Sequence, residues 1–499
     1  MEVLNGFAAA LQPLNILLIF GGTALGVLVG ALPGLSSPMA IIVLLPLTFG
    51  MEPLPALLAM VGVYVGTKLG GSFSAILLRT PGTPAGACTA LDGYPLAQRG
   101  EAGRALGLAT MGSTLGGIFG WLIAIIFVPL LATIAVKSTN ADIALVGVLG
   151  LVMVSAFVRG STLKGLIGVI LGLLIATVGL DPMAAVPRFT FGSVGLLEGV
   201  SFAAALIGFF GIAVVLADMP LIGSKSFLTA DKVSVQMPKF GELLRRWKSI
   251  AIGAVYGTGV GAIPGVGAEG ATWLAYATAR NISPEKEQFG TGHPDGILAP
   301  EATNNAVTGG TMLPMLTLGI PGDGSTAVML GALVLHGIQP GVLLMRDEST
   351  LVYGILAGML IATIFMALIG WTAIRAFIYV LTKDRSWLFP FVLVFATIGA
   401  FASSNAMFPV YVALFFGVVG FCLERFGFPI VTVVLGIILG PIIEYNARVA
   451  LAVSGGEWST FIDAPHRMGL VIALVALMVW EVIQHRKQVK QAKVTQPIN

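Results

Sequence analysis

Residues 78–91 read LRTPGTPAGACTAL, and residues 318–330 read LGIPGDGSTAVML. Each stretch places a Pro-Gly pair shortly after an apolar segment and a Gly-Gly pair. Proline removes a backbone donor and glycine permits unusual backbone angles, so each Pro-Gly pair predicts a broken helix. The two breaks follow Gly70-Gly71 and Gly309-Gly310 at nearly equal spacing, which indicates an internal repeat.

The composition around these breaks is that of a membrane protein. Of 499 residues, 56% are hydrophobic and 10% are charged, and the mean hydropathy is +0.95. A soluble domain carries about a quarter charged residues, so a soluble enzyme and a disordered chain are both excluded. Long unbroken apolar runs exclude an outer-membrane barrel. The net charge is only +3 and the basic residues form no patch, so the sequence does not indicate binding to nucleic acid. The sequence predicts an all-α polytopic membrane protein.

Two further breaks extend the repeat. Residues 30–35, GALPGL, match residues 261–266, GAIPGV, and each ends an early apolar segment of its half. Broken helices at corresponding positions of inverted-topology repeats indicate the binding site of a secondary transporter. A simple Pro-Gly kink remains the alternative for any single pair. The segments expected to be short and interrupted are 38–49, 54–69, 70–91, 250–263, 266–279 and 306–320, whereas 326–345 is expected to span.

Charge distribution predicts how the chain is divided. The basic stretch within 218–249 and the basic residues after 484 are expected in the cytoplasm, which leaves the N-terminus in the periplasm. Counting spans from these anchors gives the two halves opposite topology. The N-terminus has no basic residue before its apolar run, so the first helix is expected to stay in the mature protein. The expected division is a first inverted repeat at 1–217, a connecting loop at 218–249, a second repeat at 250–466, and a last helix with its tail at 467–499.

The breaks provide candidate substrate ligands. We define the first tip as residues 80–83 and the second tip as residues 321–326. Half-helix N-termini at such tips suit anionic groups, and carbonyls freed at the same break suit a cation. For hydroxyls the alternative is a bond to their own helix, and for the two asparagines it is helix capping. The candidates are Ser36, Ser37, Pro81, Gly82, Thr83, Gly265, Gly267, Asn304, Asn305, Pro321, Gly322, Ser325 and Thr326.

Four carboxylates lie in or near apolar segments, where ionisable groups are costly and generally functional. Asp92, Glu269, Glu301 and Asp323 are therefore candidates for coupling to Na⁺ or H⁺, with Na⁺ bound at the tips. A cap or turn role is the alternative for Asp92, because a Gly-Tyr-Pro sequence follows it. A carboxylate at a tip repels an anionic substrate unless a cation neutralises it, which is a physical route to symport.

Other classes of function lack their motifs. Residues 265–270 match G-x-G-x-x-G, but no strand and helix unit surrounds them, and there is no P-loop lysine motif. The four histidines are scattered without metal-ligand spacing. We therefore expect no enzymatic activity and no cofactor besides a coupling cation. A channel and an intramembrane enzyme with Asp92 and Glu301 as acid and base remain the alternatives.

The order of these motifs resembles the TctA family, the large membrane subunit of bacterial tripartite tricarboxylate transporters. Similar stretches include 30–51, 70–78, 80–84, 89–100, 261–265, 299–305 and 318–341, so the resemblance covers nearly every broken segment. One departure is that small residues usually follow Ile-Pro-Gly and occupy the position of Glu269, whereas this chain has Asp323 and Glu269.

The resemblance implies cation-coupled import of di- or tricarboxylates such as citrate across the bacterial inner membrane. It implies two partners, a small four-helix membrane subunit and a periplasmic solute-binding protein. Similarity to other ion-coupled carboxylate transporters implies an elevator arrangement, in which a transport domain carrying re-entrant hairpins moves against a scaffold.

Overall fold

The fold is described by a computed structural model. It covers residues 1–32, 35–79, 81–135, 138–157, 162–218, 236–264, 267–341, 344–372 and 388–494. The candidate residue Gly265 lies outside the described residues, as do Pro33, Gly34, Thr80 and most of the central loop. Within the described part, the strands β1 (Gly179–Leu180) and β2 (Pro187–Arg188) form a small antiparallel ladder, and the other regular elements are helical.

The helices are numbered in chain order. They are α1 (Glu2–Ala10), α2 (Pro13–Ala31), α3 (Ser37–Thr48), α4 (Pro53–Leu78), α5 (Gly86–Leu96), α6 (Ala102–Ala135), α7 (Asn140–Phe157), α8 (Thr162–Ala176), α9 (Phe202–Leu206), α10 (Ala213–Asp218), α11 (Phe240–Arg245), α12 (Trp247–Gly261), α13 (Gly267–Ile282), α14 (Asp295–Leu318), α15 (Gly324–Leu335), α16 (Leu344–Asp347), α17 (Ser349–Thr372), α18 (Leu388–Ala402), α19 (Phe408–Arg425), α20 (Ile430–Val453) and α21 (Pro465–Val494).

Several helices have the length and apolarity needed to cross a bilayer. In the described part of the chain six helical stretches meet both conditions: α2, α4, the stretch Gly86–Thr133, α17, α19 and α20. The stretch Gly86–Thr133 joins α5 to α6 through a π-helical turn at Ala97–Glu101, where Gly100 has a φ of 86°. These spans confirm the prediction of an all-α polytopic membrane protein.

Glycines spaced four residues apart allow the long helices to touch backbone to backbone. On α2, a Cβ at Gly22, Gly26 or Gly30 would collide with a carbonyl oxygen of α4. Such small residues permit close helix approach where lipid provides no hydrophobic driving force. The facing residues ascend together on both helices, so α2 and α4 run parallel. The contacts are Gly22 with Ala59, Gly26 with Val63, and Gly30 with Thr67.

The second half contains the same kind of packing. Glycines of α12 and of α6 both lie against α14, and in each pair the residue numbers ascend together, so α6, α12 and α14 are parallel. Glycines of α17 face α4 in the same way. The contacts are Gly253 with Ala299, Gly257 with Thr303, Gly112 with Leu298, Gly116 with Ala302, Gly354 with Leu54, and Gly358 with Leu58.

The helices α4 and α14 run in opposite directions. Three polar contacts join them, and the residue numbers rise on one helix as they fall on the other. We call these contacts the polar ladder: Tyr64 with Thr311, the Lys68 carbonyl with Asn304, and Ser72 with Glu301. The group α2, α4 and α17 therefore runs opposite to the group α6, α12 and α14.

Three of the expected segment boundaries are wrong. Residues 54–69 and 70–91 were expected as separate short segments, but α4 continues unbroken to Leu78. Gly70 and Gly71 do not end the helix, because they lie where the Val27 carbonyl and Thr83 approach closely. The segment expected at 306–320 begins earlier, since α14 starts at Asp295. The span expected at 326–345 ends at Leu335, because Gly337 adopts a φ of 76° and ends the helix.

Candidate functional site

Four of the helices that follow a sequence break begin close to one another. The start of α15 meets the start of α3, because a Cβ on Gly324 would lie 3.0 Å from the ring of Pro38. It also meets the start of α13, where a Cβ on Gly267 would lie 3.5 Å from the Asp323 Cβ. Ala85, which precedes α5, packs in one apolar cluster with Ala268 of α13. Contacts therefore link the starts of α3, α15, α13 and α5 in turn, and the positive dipole end of a helix start favours an anion.

The first tip folds back along the helix that precedes it. Arg79 ends α4 in the left-handed conformation, with a φ of 55°. The chain then returns two turns, so that Gly82 N donates to the Gly71 carbonyl at 3.2 Å. A side chain at Gly82 would collide with the Gly30 carbonyl, so only glycine fits here. From Gly86, beside Gly71, α5 runs back along α4, so the first tip has one non-helical arm and one helical arm.

The second tip has the same form. Gly319 ends α14 with a φ of 69°, and Gly322 packs against Thr311, two turns before that end. Asp323 is the N-cap of α15: its Oδ1 accepts from Thr326 N at 2.9 Å, and its own N–H donates to Thr326 Oγ1 at 2.9 Å. This capping box ties Thr326 to the tip itself rather than leaving it free for a ligand.

A lysine that the sequence analysis did not single out lies between the two tips. Lys68 is 6% exposed and occupies α4 between Tyr64, which contacts the second tip, and Gly71, which contacts the first. Its Nζ lies 3.7 Å from Asp323 Oδ2 and 4.8 Å from the centre of the Tyr64 ring. Lys68 is the sole charged residue between 53 and 78 in the sequence, and that isolation in an apolar run was the signal available.

Asp323 is held in place mainly by groups other than Lys68. The Tyr64 hydroxyl donates to Asp323 Oδ2 at 2.7 Å and lies 2.9 Å from Thr311 Oγ1. Glu269, at the start of α13, is half-buried, and its charge acts on the Lys68 ammonium together with that of Asp323. The site therefore contains one cationic and two anionic side chains.

Glu301 occupies a second polar cluster further along the ladder. The carboxylate is fully buried on α14 and accepts from hydroxyls on three other helices. Ser72 Oγ donates to Oε1 at 2.5 Å, Thr89 Oγ1 donates to the same oxygen, and Ser113 Oγ donates to Oε2 at 2.7 Å. Ser72 also lies one turn from Lys68 on α4, so the two clusters share a helix.

The two asparagines are adjacent on α14 but face different neighbours. Both are fully buried in the middle of α14, so the alternative of helix capping is wrong for both. Asn304 Nδ2 donates to the Lys68 carbonyl at 3.1 Å, which leaves its Oδ1 without a partner among the described residues. Asn305 lies instead beside Gly117 of α6, with both side-chain polar atoms unpartnered in the described part of the structure. Thr83 Oγ1, at the first tip, is likewise buried and unpartnered there.

Asp92 is engaged with a loop of the second half. Its Oδ1 accepts from the backbone N–H groups of Gly290, Gly292 and His293 at 2.7–2.9 Å. Its Oδ2 accepts from the Tyr276 hydroxyl at 2.8 Å. These four bonds fix the loop before α14 onto α5, which is the work of an anchoring carboxylate.

The remaining candidates lie at the helix starts. Ser36 is the N-cap of α3, and its Oγ accepts from Met39 N at 3.4 Å. Ser37 Oγ accepts from Thr67 Oγ1 at 2.7 Å, and Thr67 directly precedes Lys68 in the sequence. Ser325 is buried in the first turn of α15. Pro81 and Pro321 precede Gly82 and Gly322 in the extended arms of the two tips.

The groups gathered here can bind both an anion and a cation. Backbone donors, hydroxyls and a lysine suit a carboxylate, and carboxylate and amide oxygens suit a hard monovalent cation. Among the described residues there is no group of three or more histidine, cysteine, aspartate or glutamate side chains arranged to hold a metal ion.

Comparisons with known proteins extend over almost the whole chain. The model of the tripartite tricarboxylate transporter TctA family matches residues 16–435. A protein of Agrobacterium vitis, described as an uncharacterized 52.8 kDa protein in the TAR-I ttuC' 3'region, is 36% identical over 479 residues, which are 95% of each chain. A second protein of that organism, described as an uncharacterized protein in the TAR-II ttuC' 3'region, is 33% identical over 227 residues, which are 44% of this chain and 94% of the relative. No solved structure matches. The chain belongs to the tripartite tricarboxylate transporter TctA family.

Proposed function

We propose that this chain imports di- or tricarboxylates such as citrate, coupled to Na⁺ or H⁺, as the large membrane subunit of a binding-protein-dependent transporter. The observation that carries the proposal is the meeting of four helix starts beside both tips and a buried lysine. The positive dipole ends of helix starts favour anions, and an intramembrane lysine adds a full positive charge. Membership of the tripartite tricarboxylate transporter TctA family supports this substrate class.

The charges around the tips support cation coupling. Lys68 contributes one positive charge, whereas Asp323 and Glu269 contribute two negative charges when ionised. A carboxylate substrate entering this region adds further negative charge in a medium of low polarity, which is unfavourable without a counter-ion. A cation or proton that enters with the substrate removes this penalty. Asp323, Glu269 and Glu301 are the carboxylates best placed for coupling, and Asp92, saturated by four bonds, is the least available of the four candidates.

The course of the helices supports two inverted repeats. In the proposed alignment α2, α4, α5 and α6 correspond to α12, α14, α15 and α17. The pairs α2 with α12, α4 with α14, and α6 with α17 run antiparallel, as inverted topology requires. The repeats occupy 1–217 and 250–466, joined by the loop at 218–249. In an elevator mechanism, the segments at the tips would move together against the outer helices.

The proposed assembly lies in the bacterial inner membrane. Its partners are a small four-helix membrane subunit and a periplasmic solute-binding protein that delivers the substrate. The N-terminus is periplasmic, the C-terminal tail is cytoplasmic, and no cofactor is needed besides the coupling cation. Na⁺ would bind at the tips through backbone carbonyls and the oxygens of aspartate or asparagine.

The test is uptake by the reconstituted complex. The chain is purified with its small membrane subunit, placed in proteoliposomes, and supplied with radiolabelled citrate or succinate on the binding protein under a Na⁺ gradient or a pH gradient. Saturable uptake that requires one gradient is expected. A channel would pass substrate without saturation or gradient dependence, and uptake of that kind would contradict the symport proposal.

A further inference from the structure

Lys68 is a buried charge whose contact with its charged neighbour, Asp323, is longer than a hydrogen bond. A lysine with 6% exposure loses most of its hydration, and this loss is offset only when a counter-charge lies at hydrogen-bond distance. The Asp323 carboxylate is 3.7 Å away, beyond the 2.7–2.9 Å typical of a charge-assisted bond. An ion pair at this distance offsets the lost hydration less fully than a close one, which leaves the ammonium able to take a closer anion.

Asp323 keeps its position without Lys68. The Tyr64 hydroxyl holds Oδ2 at 2.7 Å, and Thr326 N holds Oδ1 at 2.9 Å in the cap of α15. The ammonium can thus turn toward another anion while Asp323 stays bonded at both oxygens. Such a rotation breaks no hydrogen bond of the capping box.

We propose that Lys68 binds a carboxylate group of the substrate and that Asp323 is its partner in the empty carrier. This inference rests on the proposed function, and it names the residue that recognises the anion. Lys68 lies on α4 between the contacts to the second tip and the first, so a carboxylate bound to it faces the starts of the broken helices. The Lys68 carbonyl, bonded by Asn304, fixes this part of α4 against α14.

The exchange of partners also creates a cation site. Once a substrate carboxylate binds Lys68, the ammonium no longer serves Asp323 alone, and the substrate carboxylate and Asp323 lie beside the same charge. Two carboxylates at one place favour the uptake of a cation or a proton. Substrate bound at Lys68 therefore raises the affinity for the coupling cation, and by linkage the cation raises the affinity for substrate by the same factor.

The test measures equilibrium binding of radiolabelled citrate and succinate to the purified protein, with and without Na⁺ and at two pH values. Lys68→Gln is expected to weaken binding at least about 30-fold, because it removes one partner of a buried charge pair. Lys68→Arg keeps the charge and is expected to retain measurable binding. Lys286→Gln, at an exposed loop position, is the matched control and is expected to bind like the wild type.

The double variant Lys68→Gln with Asp323→Asn separates recognition from folding. It removes both charges of the pair, and asparagine still caps α15, so the thermal midpoint is expected to stay near that of the wild type. If Lys68 recognises the substrate, binding stays weak in this variant and loses its dependence on the cation. If the double variant bound substrate as tightly as the wild type does, the role of Lys68 would be overturned and the proposed function would stand. Failure of the wild type to bind either acid would overturn the proposed function together with it.

Discussion

Glu301 is a carboxylate surrounded by hydroxyl donors on α4, α5 and α6. The Ser72, Thr89 and Ser113 hydroxyls all donate to it, which satisfies an ionised carboxylate without any cationic partner among these bonds. Full burial nevertheless disfavours the charge. The hydroxyl bonds favour the charged carboxylate, whereas burial disfavours it. Glu301 can therefore bind and release a proton during a transport cycle, or hold Na⁺ among its own two oxygens and the three hydroxyl oxygens.

Glu301→Gln tests this role. The amide oxygen still accepts from Ser72 and Thr89, so the thermal midpoint in detergent is expected to stay equal or rise. Uptake by proteoliposomes is expected to lose its dependence on the cation gradient or on pH, because the side chain no longer titrates. Glu301→Ala instead leaves three buried hydroxyls without their acceptor and is expected to cost about 1–3 kcal/mol of stability. Glu287→Gln, in the exposed loop, is the control, and an unchanged coupling profile in Glu301→Gln would remove Glu301 from the coupling mechanism.

The sequence predicted which residues of the site are unusual better than it predicted what each one contacts. The carboxylates stood out because charge is rare in apolar segments, and by the same rule Lys68 was predictable. The pairing of Lys68 with Asp323 was not predictable, because 255 positions separate the two residues. Only the packing of α4 against the second tip brings them together. The roles of Asn304 and Asn305 differ for the same reason, since adjacent residues on a helix face different neighbours.

At the scale of elements, the Pro-Gly pairs at 81–82 and 321–322 do follow the ends of α4 and α14, whereas the boundary expected between residues 69 and 70 lies inside an unbroken helix. Glycine in a membrane helix either ends it or lets another backbone approach, and local sequence does not separate these uses. Gly70 lies against the Val27 carbonyl inside an unbroken helix, whereas Gly319 ends α14 with a positive φ. The part of the chain that faces the glycine decides between these two uses, and that part is not adjacent to it in the sequence.

Two adjacent glycines of α2 provide a direct test of this packing. A Cβ on Gly22 would collide with the Ala59 carbonyl of α4, whereas a Cβ on Gly21 would meet nothing within 4 Å. Gly22→Ala is expected to destabilise the protein by about 1–3 kcal/mol, the usual cost of overpacking. Gly21→Ala, the matched control, is expected to be neutral or slightly stabilising, because alanine favours the helix by up to about 1 kcal/mol. The thermal midpoints of the two purified variants give the comparison, and equal midpoints would contradict the parallel contact of α2 with α4.

At the scale of the whole molecule, polar contacts gather at two opposite ends. At one end, Arg104 of α6 pairs with Glu242 of α11 at 3.0 Å, and Arg246, which precedes α12, pairs with Asp295 at the start of α14 at 3.1 Å. At the other end, beyond the last turn of α6, Asp142 pairs with Arg467 at 2.8 Å. The basic residues between 239 and 248 adjoin the first end, so the proposed orientation, which follows the positive-inside rule, has that end in the cytoplasm.

Thiol labelling of membrane vesicles tests this orientation. Val194, which is 79% exposed in the loop after β2, is expected in the periplasm, and Lys286, in the loop before α14, is expected in the cytoplasm. In a Cys422→Ser background, where Cys88 is buried, an impermeant maleimide added to right-side-out vesicles is expected to label Val194→Cys but not Lys286→Cys. Inside-out vesicles are expected to show the reverse. The opposite pattern would invert the orientation while keeping the fold, whereas labelling of both positions from one side would contradict the placement of these loops at opposite ends of the helices.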